Sequence, residues 1–206
     1  MADNKQTETL ATALNAKLEK SKGTVFAICA VVVAVIVVIA VFATVKSKST
    51  EKGIEQIDSI SYALTSDASK LSEEDIAVRQ NTALEQLVAL SSKGGIVGIR
   101  ANMLIAEIKF AQKNYEEARS AWLKAIAAKK DAYTASFCYY NAAVCSEELG
   151  DTDNAIAYYA AAADDEDFIL IDHALFSLGR VNETAQKYED AKAAYEKLNE
   201  LRSSAS

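Results

Sequence analysis

The hydrophobic positions of this chain fall into two patterns. Between Thr24 and Val45 they are continuous: GTVFAICAVVVAVIVVIAVFATV, starting at Gly23, contains 22 residues after the glycine with no charge and no proline. As a helix rising about 1.5 Å per residue, that run extends roughly 33 Å, enough to cross a hydrocarbon layer of about 30 Å. Beyond Val45 the apolar residues become periodic. KSKSTEKG reads as a polar juxtamembrane stretch, and Ile54, Ile57, Ile60 and Leu64 then recur at the three- and four-residue steps of one helix face. Ser72 predicts the cap of a second helix, with Glu73, Glu74 and Asp75 as its acidic first turn. Ile76, Ala83, Leu84, Leu87 and Val88 line that helix, and Gly94-Gly95 predicts its C-terminal stop. Upstream of the continuous run, Leu10, Leu14 and Leu18 stand four apart, which fits either a short amphipathic helix or a frayed tail.

From Ile96 the periodic pattern itself repeats. Three segments align without gaps around a turn between two helices. The first is Lys113-Asn114-Tyr115-Glu116-Glu117-Ala118 with Trp122 and Ala125 downstream. The second is Gly150-Asp151-Thr152-Asp153-Asn154-Ala155 with Tyr159 and Ala162, and the third is Gln186-Lys187-Tyr188-Glu189-Asp190-Ala191 with Tyr195 and Leu198. Ala118, Ala155 and Ala191 are spaced by 37 and 36 residues. Each block follows a helix, with Tyr139-Tyr140-Asn141-Ala142-Ala143 and Leu175-Phe176-Ser177-Leu178-Gly179 in matching places. The small alanines predict close approach of paired helices, and the aromatics Trp122, Tyr159 and Tyr195 predict filling of the wedge between pairs.

These residues resemble the tetratricopeptide repeat, a helix pair with Leu-Gly, a Gly-x-Tyr turn, an alanine, an aromatic and a second alanine at fixed offsets. The chain departs from that pattern in three ways. Its period exceeds the usual value of about 34 residues, the closing proline is missing, and only Gly179 keeps the Leu-Gly pair while Thr152 replaces the turn tyrosine. The resemblance implies an all-α, tetratricopeptide-like helical-hairpin solenoid after one N-terminal transmembrane helix. The expected organisation is a tail over 1–23, a span over 24–45, a juxtamembrane segment with divergent capping helices over 46–95, and three repeats with a short polar tail over 96–206. The repeat-defining structural positions are Tyr115, Ala118, Trp122, Ala125, Gly150, Ala155, Tyr159, Ala162, Gly179, Tyr188, Ala191 and Tyr195.

Composition supports the helical reading and narrows the chemistry. Proline is absent, glycine occurs seven times, and no run outside the span alternates like a strand. The span is longer than the apolar core of a cleavable signal, about 7–15 residues, and begins late. Ile28 before Cys29 does not fit a lipoprotein signal, so an uncleaved signal anchor is expected. Lys17, Lys20 and Lys22 precede it and Lys46, Lys48 and Lys52 follow, so the positive-inside rule does not orient it. An inside N-terminus is expected because a long folded domain follows a single anchor. Net charge is −7, and residues 46–206 carry 18 basic against 26 acidic groups, which argues against a nucleic-acid footprint.

Candidate catalytic chemistry is thin. His173 is the one histidine, without a second ligand at metal spacing, and neither a phosphate loop nor a nucleophile elbow occurs. Asp164-Asp165-Glu166-Asp167 lacks the spacing of a calcium loop and reads as a solvated inter-helix segment. Asn182-Glu183-Thr184 matches a glycosylation sequon inside a predicted helix. Cys138 and Cys145 lie seven apart on one predicted helix, about 10.5 Å along its axis, too far to pair. Neither an enzyme, a cofactor nor a metal is predicted.

A surface is the better candidate. The resemblance implies peptide binding along a concave face lined by the first helix of each pair, which places the groove on Arg100, Met103 and Glu107, then Phe137, Tyr140 and Val144, then His173, Phe176 and Arg180. Met103, Tyr140 and Phe176 are expected to form an apolar stripe, either exposed for binding or covered as ordinary core. The whole layout is similar to that of the ancillary subunit of the bacterial Sec translocon, an inner-membrane protein with a periplasmic tetratricopeptide domain. That resemblance implies partners among translocon subunits, translocated chains and periplasmic chaperones. An envelope scaffold for cell division or outer-membrane assembly, and a regulator docking a cell-wall enzyme, remain open alternatives.

Overall fold

The computed structural model describes Thr12, residues 22–130 and residues 132–204. Leu10, Leu14 and Leu18 lie outside the described residues. The chain divides into two compact units, Met1–Glu51 and Lys52–Ser206. Among the described residues the ordered elements are helices: α1 (Lys22–Thr65), α2 (Glu73–Ser91), α3 (Gly95–Ala111), α4 (Tyr115–Ala128), α5 (Ala135–Glu148), α6 (Thr152–Ala163), α7 (Ile171–Thr184) and α8 (Tyr188–Ser204), with a 3₁₀ turn at Ala68–Lys70.

In the first unit α1 carries the continuous apolar run, and its large side chains, Phe26, Val35 and Phe42 among them, are exposed. The polar juxtamembrane stretch KSKSTEKG continues the same helix. Nothing in residues 46–52 breaks it: proline is absent, and the Thr44 and Thr50 hydroxyls donate to Ala40 O (2.8 Å) and Lys46 O (3.0 Å) on the preceding turn.

The second unit begins within α1. Ile57 and Ile60 are buried with Ala83, Leu87 and Leu90 of α2 and with Val97, Ala101 and Ile108 of α3. Ser72 caps α2 as its position predicts, its Oγ accepting from Asp75 N–H at 3.1 Å. Arg79 of α2 donates to Ala63 O (3.0 Å) and Ser66 O (2.6 Å), satisfying carbonyls at the end of α1. The glycine pair does not stop α2, which ends at Ser91 with Ser92 as its cap. Gly94 is the N-cap of α3 and Gly95 its first residue.

The cores of the α3–α4 and α5–α6 hairpins are each shared with the helix that follows. Ala118, Ala121, Trp122 and Ala125 of α4 pack with Ala106 of α3 and with Cys138, Ala142 and Cys145 of α5. Ala155 and Tyr159 of α6 pack with Ala143 of α5 and Val181 of α7. Ala162 and Ala163 continue the core to Leu175 of α7 and Leu198 of α8. Ala118, Ala155 and Ala191 are all buried, as their spacing predicts. A larger side chain at any of them would force the helices apart, at about 1–3 kcal/mol. Trp122 and Tyr159 are buried too, whereas Tyr195 is half-exposed in α8. Gly179 answers to that ring: a Cβ there would overlap Tyr195 Cε1.

The turns repeat at the level of single hydrogen bonds. Lys113, Gly150 and Gln186, the first residues of the three aligned blocks, have φ of 60°, 69° and 59°. At each, the N–H donates three residues back, and the next N–H donates five back: Lys113 to Phe110 O and Asn114 to Lys109 O, with Gly150–Glu147, Asp151–Ser146, Gln186–Glu183 and Lys187–Asn182 as counterparts. This is the Schellman ending, which consumes helix carbonyls that otherwise face solvent unpaired.

Candidate functional site

The loops at the far ends of the hairpins create a cleft. Residues 129–134 join α4 to α5 and residues 164–170 join α6 to α7. Lys130, Ala132, Tyr133 and Thr134 of the first loop and Asp165, Asp167, Phe168 and Ile169 of the second enclose, with Met103 of α3 and Ala135, Ser136 and Phe137 of α5, a cleft of about 790 Å³. Phe137 is held by an edge-to-face contact with Trp122, centroids 5.7 Å apart at 79°. Phe168 is buried against the α6–α7 core. Tyr133 and Ile169 also line the cleft, yet they are 87% and 89% exposed.

The cleft edge on the α6–α7 loop is polar and locally organised. The Ser136 hydroxyl donates to Asp165 Oδ2 at 2.6 Å, and Asp167 N–H donates to Asp165 Oδ1 at 3.1 Å. Asp167 lines the cleft on this side and Lys130 lines it on the α4–α5 loop. Among the described residues, no three His, Cys, Asp or Glu side chains converge to hold a metal ion.

Of the nine expected groove residues, the structure brings Met103 and Phe137 together in this cleft. Tyr140 is packed between Tyr159 (5.5 Å) and Phe168 (6.3 Å), and half-buried Val144 sits on the α6 core. Phe176 is 52% exposed and leans on Tyr195, centroids 6.1 Å apart, in α7 and outside the cleft lining. His173 is exposed beside Asp172. Glu107 lines a separate hollow of about 250 Å³ with Leu64 of α1 and Arg79 of α2.

Two expected groove arginines act as struts. Arg100 pairs with Asp58 of α1 at 2.5 Å. Arg180 pairs with Glu147 of α5 at 2.7 Å, and Glu147 also accepts from the Tyr159 hydroxyl at 2.5 Å, so three helices meet on one carboxylate. Burial alone raises the Glu147 pKa, but hydrogen bonds from Arg180 and Tyr159 and the Arg180 charge outweigh it and hold the carboxyl below its ordinary value. Arg119 of α4 bridges likewise to Asp151 at 2.6 Å, beside the Ser146 hydroxyl at 3.3 Å.

The cleft residues that the sequence pattern missed, Tyr133, Phe168 and Ile169, sit in the inter-repeat loops. The signal was the period: spacings of 37 and 36 against about 34 leave extra residues to be placed. The sequon also resolves. Asn182 is 2% exposed and its side-chain N–H donates to Leu178 O at 2.9 Å, so the folded helix offers no acceptor for a glycan.

The tetratricopeptide-repeat family matches residues 138–164 and 172–204. A TPR repeat-containing protein of Treponema pallidum (strain Nichols) is 33% identical over 128 residues, which is 61% of this chain and 54% of that protein. The chain thus spans about half the length of that relative. Among solved structures, MamA superposes with a TM-score of 0.52 at 19% identity, covering 78% of this chain and 94% of that one. BtubC (BKLC) from P. vanneervenii gives 0.54 at 16% identity over 64% of this chain and 57% of that one. At such identities the two structures speak to fold alone. The second unit is a tetratricopeptide-like helical-hairpin solenoid, with tetratricopeptide repeats matched over residues 138–164 and 172–204.

Proposed function

We propose that this protein is a membrane-anchored, non-enzymatic docking module that captures protein segments in the cleft built on Met103, Phe137, Phe168 and Ile169. The observation that carries the reading is the bare apolar rim, Tyr133 and Ile169, beside a hollow of about 790 Å³. A hollow that size matches the clefts that bury ligand side chains. Met103 and the aromatics suit loosely specific apolar contacts. The remaining first-helix positions, Tyr140, Val144, His173 and Phe176, extend the recognition surface along α5 and α7, flanked by Arg100, Glu107 and Arg180.

The apolar run of α1 spans the membrane once in this reading, with the N-terminal tail inside and the solenoid on the extracytoplasmic face. Confinement at the membrane then raises the effective concentration of the cleft around chains that emerge there. The layout is similar to the ancillary Sec translocon subunit, and the segments captured are those of translocated proteins or of the chaperones that receive them.

A photo-cross-linker placed at Ile169, with a second at Tyr140, tests this in intact cells. Capture of translocon subunits and newly exported chains is the expected result. Division or outer-membrane assembly proteins in their place would make the module an envelope scaffold. One cell-wall hydrolase with altered activity would make it a regulator. Protease added to spheroplasts should digest residues 46–206; protection of that region with cleavage of the tail would reverse the topology.

A further inference from the structure

The cleft has an electrostatic direction, and this selects the chemistry of its occupant. Its floor is apolar, from Met103, Phe137 and Phe168, and its rim carries exposed Tyr133 and Ile169. One side is formed by the α6–α7 loop, which opens with four consecutive acids, Asp164-Asp165-Glu166-Asp167. Asp165 is fixed there by the Ser136 hydroxyl and the Asp167 N–H, which orient its carboxylate without neutralising its charge. Among the described residues no lysine or arginine forms an ion pair with any of these four acids. The α4–α5 loop contributes Lys130 on its own side. An approaching acidic segment meets this loop and a chain of net charge −7, whereas a basic one meets its complement.

Resting on the docking role proposed for this cleft, we infer that its occupant is a protein segment with a bulky apolar side chain flanked by lysine or arginine. The apolar residue sits on Met103, Phe137 and Phe168, and the basic residue faces Asp165 and Asp167. Exposed ion pairs are individually weak, so the acids act chiefly by selecting the partner, while the apolar contact supplies most of the affinity.

The test uses the full chain in lipid nanodiscs and fluorescently labelled peptides with one central Phe-Leu pair, flanked by Lys, by Glu or by Ser, read by anisotropy. The Lys-flanked peptide is expected to bind about tenfold more tightly than the Glu-flanked one at low salt, since several weak attractions add to the repulsions it avoids. That difference shrinks as salt is raised. Asp167→Lys combined with Glu166→Lys inverts the order, and Ile169→Ser weakens all three peptides. Both changes fall on exposed loop side chains, and unchanged far-UV dichroism checks the fold. Equal binding of the three peptides, still weakened by Ile169→Ser, overturns the charge selection and leaves the docking site standing. No binding, or binding indifferent to Ile169→Ser, overturns the docking site itself and this inference with it.

Discussion

Gly150→Ala isolates what the repeat turn requires of its first residue. Gly150 has φ of 69°, and a Cβ built there meets nothing within 4 Å, so packing stays out of the comparison. Holding an L-residue in the left-handed region costs roughly 1–2 kcal/mol. Alanine recovers about 0.4–1 kcal/mol by restricting the unfolded chain. The expected net loss is about 1 kcal/mol. The same reasoning runs in reverse at Lys113 and Gln186, which hold φ of 60° and 59° without being glycine. Lys113→Gly and Gln186→Gly should therefore each stabilise the solenoid by about 0.5–1 kcal/mol, despite adding a helix-breaking residue. Thermal unfolding of the full chain in detergent, followed by far-UV dichroism, gives shifts of about 2–4 °C per kcal/mol for a unit of this size. A stable Gly150→Ala together with a destabilised Lys113→Gly would refute the argument that backbone conformation decides these positions.

Three further outcomes follow from the packing and the ionisable groups. Gly179→Ala should cost about 1–3 kcal/mol because the new methyl overlaps the Tyr195 ring, and most of that cost should vanish in a Tyr195→Ala background; additive losses would place the strain elsewhere. Glu147→Gln should cost about 1 kcal/mol at neutral pH, since the pair with Arg180 is partly solvated. The folded-state pKa of Glu147 is depressed, so its contribution is present above the ordinary carboxylate value and disappears as pH falls through the folded value. The variant should accordingly show a flatter loss of stability on acidification below about pH 4.5, and an unchanged acid limb would contradict this. Burial pushes the thiols of Cys138 up to about 12 and Cys145 up to about 11, so alkylation at about pH 8 should be at least about a hundredfold slower in the native chain than in denaturant; rapid native labelling at either site, read by mass spectrometry, would show that α5 opens.

The hairpins are legible in the sequence because their determinants are local and periodic. Ala118, Ala155 and Ala191 recur at repeat spacing, and each is where two helices touch. The α2 cap at Ser72 is readable for the same reason. The Gly94-Gly95 pair misleads because glycine opens as well as closes a helix, and here the chain needs it for the entry into α3. The polarity of the KSKSTEKG stretch does not mark a helix boundary, because a charged segment without proline continues a helix as readily as it ends one. The groove is legible only in part. Assigning Tyr140 and Phe176 to a common stripe assumes that equivalent repeat positions share one environment. The ring contacts of the two differ: Phe168 of the α6–α7 loop packs on Tyr140, whereas Phe176 leans on Tyr195. Long-range pairing, such as Arg180 with Glu147, has no sequence signature at all.

The sharing of the α3–α4 and α5–α6 cores with the next helix also permits assembly in chain order. From α3 to α8, consecutive helices pack on one another, and α2 packs on α3, so contacts close between segments that are near in sequence. Its main helix pairings therefore join neighbours in the chain, with Arg100–Asp58 and Arg180–Glu147 among the contacts that reach further. A chain delivered from its N-terminal end can lay α3 on α2, then α4 on α3, and so on, each addition covering the apolar face left by the one before. In α8, Tyr195 stays half-exposed where its counterparts Trp122 and Tyr159 are buried, so that ring keeps an open edge on the last described helix.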